Sequence, residues 1–326
     1  MKKLMVIPLV AAGMAAMVGC SKTPVKEAAK NDAINLANLD TAVAPGTDFY
    51  QYACGGWMKN NPLKPEYARF GTFAQLRDNN QEQIRTLIEG LSETPGQEGS
   101  VGQKIGMLFA MGMDSVKLNE DGYAPIKDQL AEINKLGTKD ELTKMVATLH
   151  KEGMAPFFAL YVGADEKNSS MNIVQLYQAG LGMGDRDYYL LEDESSQKMR
   201  EAYKNYITRL FTLIGSSPEQ ADAAVNAIMK IERGIAEVSF SREDLRDSQK
   251  NYNKMSIEDF KAKNDLLNWD VYFESMGMMD IKYLDAKQLS FYEGLSALMK
   301  NTTLDEQKYY LTFNLLSFAA PYLSDP

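Results

Sequence analysis

The sequence predicts a mainly α protein built from many helices with one small β-hairpin. Two observations carry that expectation. Capping boxes recur ahead of apolar stretches of helical period, at Thr138 with Glu141, Ser217 with Gln220 and Thr303 with Glu306. One pair of segments reads as strands: 157–162 is apolar and β-prone, and 171–177 alternates Ile173, Gln175 and Tyr177 against Val174 and Leu176.

Taken in order, helices are expected at about 74–92, 100–114, 123–135 and 139–151. The hairpin follows, with the polar link Gly163 to Ser170 read as a longer loop. A helix then carries Met199, Tyr203, Tyr206, Leu210 and Phe211 and is stopped by Gly215. The next starts at Pro218, where a missing N–H costs nothing, and shows Ala221, Val225, Ile228, Ile235 and Val238 on one side. Further helices are expected at about 256–264, 286–300 and 304–323. The last is apolar almost all round, with Tyr310, Leu311, Phe313, Leu315, Leu316 and Phe318 among its residues, and wants burial on several sides. Either it is central to the present fold or the polypeptide that should cover it is absent, and absence is the expectation.

Composition narrows the chemistry. The 326 residues suffice for one large or two modest domains and for a sizeable core. A single histidine, His150, excludes centres built on two or three His ligands. Two cysteines exclude a four-thiolate iron–sulfur cluster and a disulfide scaffold. The net charge of −9 opposes binding of nucleic acid through phosphates, and no nucleic-acid partner is expected.

The amino terminus reads as an address. Lys2 and Lys3 precede an apolar or small run from Leu4 to Gly19, too short and wrongly flanked to span a membrane. The run ends at Met17-Val18-Gly19-Cys20, which resembles a bacterial lipoprotein processing site, with Met17 where Leu is usual. The resemblance implies lipidation of Cys20 and an exported bacterial lipoprotein of the cell envelope, held to the membrane by its lipid. Residues 1–19 are the signal peptide, 20–38 a flexible tether and 39–326 the folded domain. The mature chain then carries 33 basic against 44 acidic residues, a net −11. Cys54 is its only other cysteine, expected as a free thiol or as the partner of a cysteine outside this chain.

Several ordered blocks carry a family resemblance. Pro45-Gly46-Thr47-Asp48-Phe49-Tyr50 runs through Cys54-Gly55-Gly56-Trp57, read locally as a turn, a short aromatic helical stretch and a Gly-Gly bend. Arg69-Phe70-Gly71-Thr72-Phe73 leads to Leu76-Arg77-Asp78. Leu160 to Asp165 with Asn168, Gly180 to Tyr189, Glu232 with Ile235-Ala236, Arg246-Asp247 and Tyr252 to Met255 follow. Together these resemble the amino-terminal half of the neprilysin family of zinc metallopeptidases, over about Asn38 to Ser324.

The resemblance implies a helical lobe facing a catalytic lobe across a cavity that admits oligopeptides. It also implies that Arg69 and Arg77 approach the carboxylate end of a bound peptide, a task suited to a bidentate guanidinium. The competing role for each is an ordinary ion pair, worth roughly 0–1 kcal/mol when exposed. The family's zinc is held through a His-Glu-x-x-His helix, which this sequence lacks. The expectation is therefore a chain that binds no catalytic zinc, is inactive alone, and belongs with a catalytic domain outside it. A non-catalytic peptide-binding surface lipoprotein is the alternative.

Other candidates have bland readings. His150 ends an amphipathic helix, where a cation is favoured. Glu192-Asp193-Glu194 lacks the alternating ligands of a calcium loop and reads as a solvated helix start. Asp185 and Asp187, flanking Arg186, read as turn and ion-pair residues, and Met276, Met278 and Met279 as flexible core filler.

Overall fold

The fold follows from where apolar stripes, caps and glycines let helices meet. The computed structural model describes residues 34–65, 67 and 69–324. The expected signal peptide, Cys20 and most of the expected tether lie outside the described residues. The chain divides into two compact units, residues 1–90 and 91–326.

In the first unit, a 3-10 turn at Leu36–Asn38 leads to α1 (Phe49–Asn60) and then α2 (Thr72–Glu93). Asp48 caps α1, its carboxylate accepting from Gln51 N at 2.9 Å. The expected Gly-Gly bend is not there: α1 runs unbroken through Gly55 and Gly56. The glycines serve close approach instead. A Cβ on Gly56 would stand 2.4 Å from Ala37 O and 2.7 Å from Leu39 O. The end of the presumptive tether is thus packed against α1. The buried Asp40 is held there by Lys59 Nζ at 2.8 Å and Gln51 Nε2 at 3.2 Å.

The second unit begins with α3 (Val101–Met113), α4 (Ser115–Asp121), α5 (Lys127–Lys135) and α6 (Lys139–Lys151). The hairpin is β1 (Phe158–Asp165) and β2 (Asn168–Gln178), antiparallel in register from Phe158↔Gln178. Its strands are longer than alternation predicted, and the link is the two residues 166 and 167. Polar Asn168 to Ser170 are strand because a bulge at Ala164/Asp165 lets Asp165 pair with Asn168.

There follow α7 (Asp187–Leu190), α8 (Glu194–Leu213), α9 (Pro218–Val238), β3 (Lys254–Ser256), α10 (Ile257–Lys263), α11 (Trp269–Met276), β4 (Tyr283–Ala286), α12 (Leu289–Lys300) and α13 (Leu304–Ala319). The sheet has the order β1-β2-β4-β3, with β2 and β4 parallel and β3 and β4 antiparallel. Buried charge ties its parts together. Asp165 accepts from Lys254 Nζ at 2.7 Å, and Lys287 pairs with both Asp285 and Glu166.

The bounds of α6 and the start of α9 match the expectation to the residue, and each helix opens on a complete capping box. Ile228, Ile231 and Ile235 of α9 are fully buried, each contributing about 1.5–3 kcal/mol. The last helix overturns its expectation. α13 is covered within its own unit by α9, α8 and α5, with Tyr310, Leu311, Phe313, Leu315 and Leu316 buried. Helices α2 and α3 are the ones with exposed apolar rows among the described residues: Phe73, Leu76 and Leu87 on α2, and Val101, Leu108, Met111 and Met113 on α3.

Candidate functional site

The two expected arginines lie on either side of the start of α2. Arg69 precedes the helix and Arg77 sits one and a half turns into it. Both line one concavity of about 600 Å³, together with Tyr67, Phe70, Thr72 and Phe73. Gly71 and Ala74 also border it.

The support around Arg77 is built from neighbours. Tyr67 Oη donates to Asp78 Oδ2 at 2.7 Å, and Arg77 Nη2 donates to Asp78 Oδ1 at 3.4 Å. The Arg77 Cζ lies 5.7 Å from the Tyr67 ring centroid, a cation–π distance. The Tyr67 phenol, and after it the Asp78 carboxylate, hold the Arg77 guanidinium above its ordinary value. Phe70 stacks on Trp57, with centroids 6.0 Å apart, which joins this wall to α1. Arg69 is exposed and forms no ion pair with the described residues. The arrangement is one exposed guanidinium and one braced guanidinium over aromatic walls. It suits a carboxylate attached to a short peptide.

A second constellation was not anticipated as such. Glu232 sits on the buried face of α9, between Ile228 and Ile235, and is 1% exposed. Tyr189 Oη donates to its Oε2 at 2.6 Å, and Tyr203 Oη stands 3.0 Å from Oε1 and 2.9 Å from Oε2. The Gly182 backbone lies against the same carboxylate, where an added Cβ would stand 3.2 Å from Oε1. Tyr189 Oη also accepts from Met183 N at 2.9 Å. Burial pushes the Glu232 carboxyl up to about 7, against the pull of these donors. The sequence held one signal for it: a Glu in the middle of the apolar stripe of α9.

The remaining candidates fall into structural roles. His150 is no helix-terminal cation. Its Nδ1 lies 2.6 Å from Tyr272 Oη and its Nε2 3.1 Å from Pro156 O, and burial lowers its pKa to about 4, so the ring is neutral. Asp193 caps α8, accepting from Ser196 N at 3.0 Å. Asp185 accepts from Asp187 N at 2.9 Å and pairs with Arg242, while Arg186 donates to Ser239 O. Met276 and Met278 pack on the core and Met279 is exposed. Cys54 is a half-buried free thiol. Among the described residues, no three His, Cys, Asp or Glu side chains come together in a way that could hold a metal ion. Among them, too, no helix is long and apolar enough to cross a membrane.

Comparison with known proteins gives a consistent picture. The sequence model described as Peptidase family M13 matches residues 45–326. Endothelin-converting enzyme 1 of Mus musculus is 29% identical over 348 residues, covering 99% of this chain and 44% of that protein. The endothelin-converting enzyme homolog of Locusta migratoria is 29% identical over 248 residues, 74% of this chain and 34% of its own length. Among solved structures, the zinc metalloprotease ZMP1 of Mycobacterium tuberculosis, in complex with an inhibitor, superposes with a TM-score of 0.79 at 24% identity. It matches 89% of this chain and 44% of its own. PEPO of Lactobacillus rhamnosis gives a TM-score of 0.69 at 21% identity, over 87% of this chain and 45% of its own. The chain spans less than half the length of these relatives.

Proposed function

The chain belongs to peptidase family M13, and from that premise we propose that it is the amino-terminal part of a lipid-anchored, exported zinc metalloendopeptidase acting on oligopeptides. The observation that carries the reading is the family match over residues 45–326, nearly all of the chain beyond the leader. In this reading the chain forms one wall of a substrate cavity. Arg69 and Arg77 grip the peptide's terminal carboxylate, and the aromatic rings of Tyr67, Phe70 and Phe73 flank its last side chain. Cys20 carries the lipid that holds the protein to the cell envelope.

Zinc belongs to the part of the enzyme outside this chain. The described residues do not fit the ion: both ring nitrogens of His150 are engaged, and no other cluster of metal-ligating side chains exists among them. No catalytic step is routed through this chain. Its part is to bind and orient a peptide for a catalytic domain supplied by the rest of the polypeptide.

The purified 326-residue chain tests this directly. It is expected to hold less than stoichiometric zinc and to leave an internally quenched oligopeptide uncut. It should bind a peptide with a free terminal carboxylate more tightly than the same peptide amidated. Stoichiometric zinc with hydrolysis overturns the division of labour, and equal affinity for acid and amide overturns the role of the arginines. Labelling by a radioactive fatty acid in a bacterial host, lost in Cys20→Ser, tests the anchor.

One observation favours a second reading, a non-catalytic peptide-binding lipoprotein. α13 is buried within its own unit, so that unit does not need another polypeptide to cover its last helix. The reading frame beyond codon 326 separates the two: an in-frame continuation encoding His-Glu-x-x-His supports the first reading, and a stop codon there supports the second.

A further inference from the structure

Above the Glu232 constellation lies a cavity of about 650 Å³. Gly180, Leu181 and Gly182 form one wall and Phe313, Asn314 and Phe318 another. Gly182 is exposed on the cavity side, while on its other side its backbone lies against the buried carboxylate. The segment is fitted closely to what lies beneath it. A Cβ on Gly182 would stand 1.8 Å from Tyr203 Oη and 3.2 Å from Glu232 Oε1. The next residue, Met183, is tied through Tyr189 Oη to the same carboxylate. One acidic group therefore holds the Met183 amide of the segment through Tyr189 and underlies the close fit of Gly182.

Among the described residues, no cation pairs with Glu232. On its own helix, Lys230 pairs with Glu306 and Arg233 with Glu237. In and beside the segment, Arg242 pairs with Asp185, and Arg186 donates to Ser239 O. From α7 and α8 the phenols of Tyr189 and Tyr203 reach it, while Arg200 of α8 is engaged by Tyr188 O, Leu191 O and Glu192. α13 presents Phe313 and the phenol of Tyr310, which is engaged with Gly180 O and Phe157 N. α12 meets α9 through Gly294 and Leu298, neither titratable. An ionised Glu232 is thus held by hydrogen bonds alone in an apolar interior, a costly state.

The neutral form is also provided for. Tyr203 Oη is within hydrogen-bond reach of both carboxyl oxygens, so it can donate to one and accept the acid proton of the other. We infer that Glu232 is a proton-linked latch. When neutral it keeps the 180–184 segment closed over the junction of α7, α8 and α9, and when ionised it loosens that segment and admits water beneath the cavity wall. The inference is independent of the peptidase reading. Burial supports its direction: a carboxyl that binds its proton more tightly closed than open must open more readily as pH rises.

Two neighbouring groups titrate outside the relevant range. Although burial opposes it, Asp187 N and Arg242 hold the Asp185 carboxyl below the usual range, and His150 is lowered to about 4. Between pH 5 and 8 the segment therefore responds to Glu232.

Hydrogen exchange of the peptide spanning residues 178–190, corrected for the intrinsic pH dependence of amide exchange, reads the latch in the full chain. Its opening constant is expected to rise about tenfold or more from pH 5 to pH 8. Glu232→Gln keeps an acceptor and removes the titration, so its opening constant should be flat. Tyr203→Phe, which removes one donor to the carboxylate, should move the midpoint upward and serves where the Gln variant fails to fold. Asp185→Asn should leave the rise unchanged. A flat wild-type profile, or the same rise in Glu232→Gln, overturns the inference. So does a midpoint unmoved in Tyr203→Phe.

Discussion

Tyr310 Oη donates to Gly180 O at 2.8 Å and accepts from Phe157 N at 3.1 Å. One phenol on α13 thus fixes both the exit of β2 and the residue that enters β1. Phe157 has φ +67°, the one described non-glycine residue in the left-handed region, so its conformation depends on that support. Tyr310→Phe leaves a buried N–H and a carbonyl unpaired. It should cost roughly 1–3 kcal/mol, read as a lower urea midpoint with unchanged slope. A loss below about 0.5 kcal/mol would show that water replaces the phenol.

Glycines in α1 and α2 should respond oppositely to alanine. Gly56→Ala drives a Cβ into Ala37 O and Leu39 O and should cost roughly 1–3 kcal/mol. Gly90, inside α2, has nothing within 4 Å of an added Cβ. Gly90→Ala should stabilise by about 0.5–1 kcal/mol, since alanine loses less backbone freedom on folding. Equal effects at the two sites in thermal melts would remove close packing as the reason for the glycine pair.

These cases mark what the sequence could and could not convey. A capping box is local, so Thr138 and Ser217 placed the starts of α6 and α9 without knowledge of the rest. No strand is expected from the sequence at Tyr283–Ala286, and only Ala286 falls in the helix expected at about 286–300. The segment is strand because it pairs with β2, more than a hundred residues earlier, and with β3. No local pattern encodes that pairing. Gly55-Gly56 read as a bend because a glycine pair weakens a helix, while the contact that requires small residues comes from Ala37 and Leu39. Arg69 and Arg77 were legible only through family resemblance, since an exposed arginine has no pattern of its own. Glu232 was quoted in that resemblance without its role, because Tyr189 and Tyr203 reach it from other helices.

Arg77 offers a test that separates charge from shape. The Tyr67–Asp78 hydrogen bond does not depend on it, and its own ion pair is exposed. Arg77→Lys should therefore change stability by less than about 0.5 kcal/mol. Lysine keeps the charge and loses the fork. Affinity for a peptide with a free terminal carboxylate should fall by about tenfold, with little change for the amide. Unchanged affinity in isothermal titration would leave Arg77 as an ordinary ion pair.

Glu232 and His150 should produce opposing pH dependences that mask each other. Glu232 is raised to about 7 from a usual 4.5. The folded state holds its proton more tightly, so this contribution is fully present below pH 4.5 and is lost as pH rises through 7. His150 is lowered to about 4 from 6.5. Its neutral ring is favoured by folding, so that contribution is present above pH 6.5 and is lost as pH falls through 4. Each shift corresponds to on the order of 3 kcal/mol. Between pH 4.5 and 6.5 the two slopes have opposite sign, and the wild-type urea midpoint should be nearly flat there. Glu232→Gln should uncover a midpoint that rises with pH, and His150→Gln one that falls. Below pH 4 a further loss is expected, because Lys254 and then Lys167 N hold Asp165 down to about 2. Asp165→Asn should remove that acid limb and leave the neutral range unchanged. Parallel profiles for wild type and both single variants between pH 4.5 and 6.5 would rule out the compensation.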